Sequence, residues 1–164
     1  MPLSALLAAT LGLLRLRQGP QDLPASWAFA IGAIALYLTV NVVTQARLGD
    51  SEAGPRTLLW IGFQFAAVAA LLNARGLAAR LPQTLGALAA TGTVISLISY
   101  AIVAQADPSR DQPLLALLLL AVFAWSLLVD GHIYRHALST TLSMGMLVAV
   151  VIFAASYSLV EFLV

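Results

Sequence analysis

Four long apolar stretches hold almost all of this chain's hydrophobicity, and nearly every charge lies between them. The last stretch, 114–164, runs for about fifty residues without a conventional hydrophilic loop. As one helix it would be about 75 Å long at 1.5 Å per residue, more than twice a hydrocarbon core of about 30 Å. The chain must therefore reverse inside 130–141, and the four stretches become five spans. Asp130-Gly131, a good turn dipeptide, is the alternative place for that reversal.

Only 9% of the residues are charged and 61% are hydrophobic, against about 25% charged in an average soluble domain. So few charges cannot coat a water-facing globule of 164 residues. In lipid every backbone polar group must be satisfied within the segment, so the reading is an all-α, polytopic membrane helix bundle. The net charge of +1 gives no electrostatic footprint for nucleic acid. All eight cations are arginine, and cysteine is absent, which excludes disulfides, thiolate metal sites and a cysteine nucleophile.

Breaker clusters place the spans at about 25–46, 57–74, 83–104, 114–134 and 140–162, in one domain covering 1–164. Residues 48–56 read as the first clear loop. Trp27 and Trp60, near the starts of their spans, suit interfacial anchors. Leu3 to Leu14 resembles a signal-peptide core, but Arg15 and Arg17 follow it rather than precede it, so it is expected to be retained. A dozen residues is too short to span, and 3–16 is expected to be a short interfacial helix. With a cytoplasmic N-terminus, Arg15, Arg17, Arg75, Arg80 and Arg135 fall inside. Arg47, Arg56 and Arg110 fall outside, with Asp50, Glu52, Asp107 and Asp111. Arginine bias thus favours N-in and C-out in a bacterial inner membrane.

Asp130 is the residue most in need of explanation, since a carboxylate at the centre of a span costs about 2.5–3.5 kcal/mol. Ser126, Asp130 and Tyr134 recur every four residues and share a helix face. Asp130 either handles a proton or cation inside the bundle, or sits near the headgroups, pairs with Arg135 or Arg80 and caps the reversal. The second reading is the expectation here. His132 and His136 also share a face, as metal or haem ligands must, yet no third ligand type stands nearby; headgroup or hydrogen-bond contacts are the plainer reading. Tyr37, Asn41 and Gln45 form a stripe on the first span; Trp60 with Gln64, and Thr93, Ser96 and Tyr100, repeat it on the second and third. Such stripes line a polar path or make interhelical hydrogen bonds, and packing is the expectation. Ala28/Gly32, Gly86/Ala90, Gly92/Ser96 and Gly145/Ala149 permit close helix approach. Arg15, Arg17, Arg80, Arg135 and Glu161 are expected at the interfaces.

Gly19-Pro20-Gln21-Asp22-Leu23-Pro24, Arg80-Leu81-Pro82-Gln83-Thr84-Leu85 and Gly131-His132-Ile133-Tyr134-Arg135-His136-Ala137-Leu138, taken with five spans, resemble small uncharacterised proteobacterial inner-membrane proteins similar to the Yip1-type five-span family. These segments cover under a fifth of the chain. The long hydrophilic N-terminal region of the family's trafficking members is missing, so their partners do not carry over. The resemblance implies five spans, a cytoplasmic N-terminus and a non-enzymatic role, and it assigns no catalytic residue.

No P-loop, HExxH, GxSxG or Rossmann fingerprint is present. The expectation is a non-catalytic integral membrane protein, without cofactor, that acts by contact as an accessory, scaffold or assembly subunit. Its partners would be membrane lipid and copies of itself or a larger membrane complex. The alternative is a small oligomeric transporter or channel using Asp130 and the Tyr37/Asn41/Gln45 stripe. A third reading is a haem- or quinone-binding redox subunit through His132 and His136.

Overall fold

The computed structural model describes residues 1–49, 53–107 and 109–163. The acids Asp50 and Glu52, with Pro108 and Val164, lie outside the described residues. Six α-helices run α1 Leu3–Leu14, α2 Trp27–Arg47, α3 Ala53–Ala74, α4 Leu81–Val103, α5 Pro113–Ala137 and α6 Leu142–Leu163. Short 3₁₀ turns at Pro20–Asp22 and Ala78–Arg80 precede α2 and α4. Five helices are long and apolar enough to cross a membrane, and α1 is a shorter apolar helix.

The five long helices close into a ring in the order α2, α4, α5, α6, α3, each packed on the next. Helix α1 lies outside the ring against α4 and α5. It buries Ala9, Thr10 and Leu13 and turns Leu3, Leu7 and Leu11 outward. The ring's outer surface is likewise apolar: Ile31, Leu36, Leu58, Leu117, Leu120 and Val151 are all more than half exposed. Such a surface suits hydrocarbon, where side chains need no polar partner.

The tightest crossing joins α5 to α6 at two glycines. A methyl group on Gly145 would run into the Gly131 carbonyl and come within 2.9 Å of the Arg135 nitrogen. One on Gly131 would come within 3.1 Å of the Met146 Cα. Only hydrogen side chains let these backbones touch. On α4, Gly86 and Gly92 are overlain by the Phe29 and Tyr37 rings of α2. Gly32 differs: its Cβ position is open, so the Ala28/Gly32 pair makes no such crossing.

Several boundaries depart from the sequence reading. Gly54, Pro55 and Arg56, read as loop, form the first turn of α3, where proline's missing N–H has no intrahelical acceptor to lose. Helix α5 continues through Asp130-Gly131 to Ala137, so the alternative reversal there is excluded and the turn falls at 138–141. Its end is closed by a Schellman motif: the Thr140 N–H donates to the Arg135 carbonyl and the Ser139 N–H to the His136 carbonyl. Ser139 takes the left-handed conformation at φ 52°. Helices α1 and α3 end the same way, through Leu16 (φ 58°) and Gly76 (φ 69°).

Candidate functional site

The ring encloses a cavity of about 130 Å3 to which all five long helices contribute. Asp130 of α5 opens into it, together with Ser126 one turn earlier. Asp130 lies seven residues before the end of α5, about 10 Å along the axis at 1.5 Å per residue. The carboxylate has no hydrogen bond or ion pair among the described residues. The expected pairing with Arg80 or Arg135 is therefore corrected. Arg80 is occupied at the end of α5, where its Nη1 donates to the Ala137 carbonyl at 2.8 Å, the His136 carbonyl at 3.3 Å and Ser139 Oγ at 2.7 Å. The one ion pair between described residues is Arg110 with Asp107, at 3.3 Å in the loop after α4. It is Arg80, not Asp130, that caps the reversal.

Five aromatic rings surround the carboxylate's cavity: Tyr37, Trp60, Phe65, Phe123 and Phe153. Three are linked edge to face, Trp60 with Phe153 at 5.3 Å and Phe123 with Phe153 at 4.9 Å between centroids, a favourable aromatic geometry. Tyr37 stands 6.3 Å from Phe65. Trp60 thus faces into the ring rather than serving as the expected interfacial anchor. Trp27 does turn outward and is 52% exposed. The cavity's three serine hydroxyls are engaged: Ser126 Oγ donates to the Phe123 carbonyl, Ser156 Oγ to the Ile152 carbonyl, and Ser96 Oγ to Asn41 Oδ1 at 3.2 Å.

Toward the end carrying Arg56 and Glu161, a second cavity of about 300 Å3 forms a vestibule. Asn41 and Gln45 line it, and it shares Tyr37 and Trp60 with the inner cavity. The Tyr37/Asn41/Gln45 stripe therefore serves both expected uses. It lines a polar lane, and Asn41 supplies an α2–α4 hydrogen bond while its amide donates to the Tyr37 carbonyl at 2.9 Å. Thr93 is turned to its own helix, donating to the Ala89 carbonyl, whereas Tyr100 lines a side cleft with Asn41 and Gln45.

At the opposite end the lane stops. Tyr134 is buried, and its hydroxyl has no hydrogen-bond partner among the described residues. Around it Val68, Leu72, Leu85, Leu88 and Ile133 form an apolar plug.

The histidines stand outside the cavity. His132 is buried, and its Nε2–H donates to the Gln18 carbonyl at 2.9 Å, tying the chain after α1 to α5. His136 meets the His132 ring edge-on at 4.6 Å and faces a surface cleft shared with Arg80 and Gln83. The common face is present, but one ring nitrogen of His132 is already committed to backbone. Among the described residues no group of three His, Cys, Asp or Glu could hold a metal ion. Arg15 and Arg17 are exposed after α1, Arg135 is half-buried near the end of α5, and Glu161 is exposed at the vestibule.

Phe65, Phe123, Phe153 and Ser156 were not singled out from the sequence. The signal available was spacing: Phe123, Ser126 and Asp130 share one face of α5, as Ala149, Phe153 and Ser156 do on α6. No protein-family model, curated protein or solved structure matches the chain.

Proposed function

We propose that this integral membrane protein is non-catalytic and takes up a cation or a proton within its helix ring, as a carrier or channel, with Asp130 as the binding group. One observation carries this reading: among the described residues, the Asp130 carboxylate faces an internal cavity with no arginine, hydrogen bond or basic lining residue to neutralise it. Ionisable groups at membrane depth are costly and mark ion or proton pathways. The lane from the vestibule past Tyr37 and Trp60 supplies access from one side, and the plug around Tyr134 closes the other.

The arginine distribution supports a bacterial inner membrane with the N-terminus cytoplasmic, so that the vestibule opens on the periplasmic side. Lipid is the immediate partner, α1 shares an apolar cleft with span residues as far as Leu36 of α2 and Val94 of α4, and self-association thickens the wall of a ring only five helices around. This reading displaces the contact-acting accessory role because contact alone gives no use for an uncompensated carboxylate.

Proton and sodium flux into proteoliposomes tests it. Wild-type protein is expected to give flux above empty liposomes, and Asp130→Asn to reduce it at least about tenfold. Equal background flux in both would return the chain to the contact-acting reading.

A further inference from the structure

We infer that the cavity at Asp130 is a binding site for a small organic ammonium ion, a primary to quaternary alkylammonium, entering from the vestibule. This rests on the reading of Asp130 as the cation-binding group and names the class of cation.

The walls select the class. The faces of aromatic rings carry negative electrostatic potential and attract cations, most strongly where water is excluded, and rings gathered around a point are the recurrent receptor for methylated ammonium. Here Tyr37, Trp60, Phe65, Phe123 and Phe153 surround a cavity whose one charged group is Asp130. A hard metal ion is poorly served by the same wall. Calcium takes six to eight oxygens and magnesium a near-ideal octahedron. The cavity offers Gln64 and the hydroxyls of Tyr37, Ser96, Ser126 and Ser156 as neutral oxygens, but Asp130 is the single anionic ligand among its lining residues, too little charge to hold a divalent ion. An alkylammonium asks for less: one carboxylate for its charge and ring faces for its carbon.

Size agrees. A cavity of about 150 Å3 lined by aliphatic and aromatic groups takes benzene, so about 130 Å3 suits an ion with one to four methyl groups and excludes larger amines. Access agrees as well. The vestibule of about 300 Å3 lies on the other side of Tyr37 and Trp60, which line both spaces and must part for entry, and among the described residues it is lined by Arg56 and Glu161.

The test uses full-length protein in detergent with Trp27→Phe and Trp125→Phe, which leaves Trp60 as the one tryptophan. Its fluorescence is followed while methylammonium, tetramethylammonium, sodium chloride and the uncharged tert-butanol are added. A saturable change with an ammonium ion is expected, at least about tenfold weaker for tert-butanol and for Asp130→Asn. Phe123→Leu, which keeps the carboxylate and a helix-compatible side chain, is expected to weaken binding roughly three- to tenfold. No saturable response in wild-type protein, or equal affinity for tert-butanol, overturns the inference, as does unchanged affinity in both Asp130→Asn and Phe123→Leu. The flux assay separates the two readings. Asp130-dependent proton or sodium flux without ammonium binding leaves the carrier standing and removes the organic cation. Ammonium binding without any flux, of ammonium included, leaves the site and removes transport.

Discussion

The two ends of this ring are built on opposite terms. At the end where α1 docks, three helices finish in Schellman motifs, Arg80 seals the last carbonyls of α5, and Leu13, Val129, Ile133, Leu72 and Val68 are almost fully buried. At the other end the helices part around a vestibule and an inner cavity lined by amide, hydroxyl, carboxylate and aromatic groups. Association of helices in lipid comes from close packing and polar contacts, because lipid tails are as apolar as leucine. The closed end therefore holds the ring together and leaves the open end free to keep space. The comparison makes a division testable by substitution: changes at the closed end should act on stability, and changes at the open end on the ligand.

The sharpest contrast uses the same substitution at two glycines. Gly145→Ala places a methyl group against the Gly131 carbonyl, a backbone atom that cannot swing aside. The α5–α6 crossing must open, at a cost of about 3 kcal/mol or more, at the upper end for overpacking. Gly62→Ala, on the α3 face with nothing within 4 Å, is expected to be neutral or to stabilise by up to about 1 kcal/mol, from helix propensity. Thermal unfolding in one detergent checks the pair. Equal shifts would mean that α5 and α6 do not cross at these glycines.

Arg80→Ala comes next. It removes one charged donor from two carbonyls and the Ser139 hydroxyl, where hydrogen bonds to charged groups are worth about 1.5–3 kcal/mol. It also removes a cation from the negative end of a helix dipole. A loss of about 2 kcal/mol is expected, with faster amide exchange at 138–140. Arg110→Ala, at the open end, removes only an exposed ion pair and should change stability by less than about 0.5 kcal/mol. If the two substitutions act alike, Arg80 is not a cap.

Hydropathy alone made the five spans legible. What it missed depends on groups distant in the chain. Helix α5 runs past its expected end to a local Schellman motif, and a guanidinium 57 residues away caps its last carbonyls, a partner that no local signal encodes. Spacing correctly put Ser126, Asp130 and Tyr134 on one face, but only the closed ring tells that this face looks inward. A phenylalanine in an apolar span reads the same whether it faces lipid or a cavity, so Phe65 was silent, and Phe123 and Phe153 could be found only by their spacing from Asp130 and Ser156. Trp60 misled because seven residues into α3 is still near enough to a helix start to pass for an interfacial anchor.

The smallest expected effect lies in the loop after α4, where order is local and wet. Asp107 Oδ1 accepts hydrogen bonds from the Ser109 hydroxyl at 2.6 Å and the Ser109 N–H at 3.0 Å. These bonds hold its carboxyl below the ordinary carboxylate range, the hydroxyl contributing most. A depressed carboxyl favours the folded turn at pH above its unfolded value, and that preference is lost as the pH falls through the folded value. The group is exposed, so the bundle's stability should not register the change. Carbon-detected NMR titration should find the Asp107 midpoint below the ordinary aspartate value of about 3.9, and Ser109→Ala should raise it part of the way while leaving the thermal transition unmoved. A midpoint that ignores Ser109→Ala would show that the turn does not hold in solution. A moved thermal transition would show instead that the open end, loop included, shares the load assigned to the closed one.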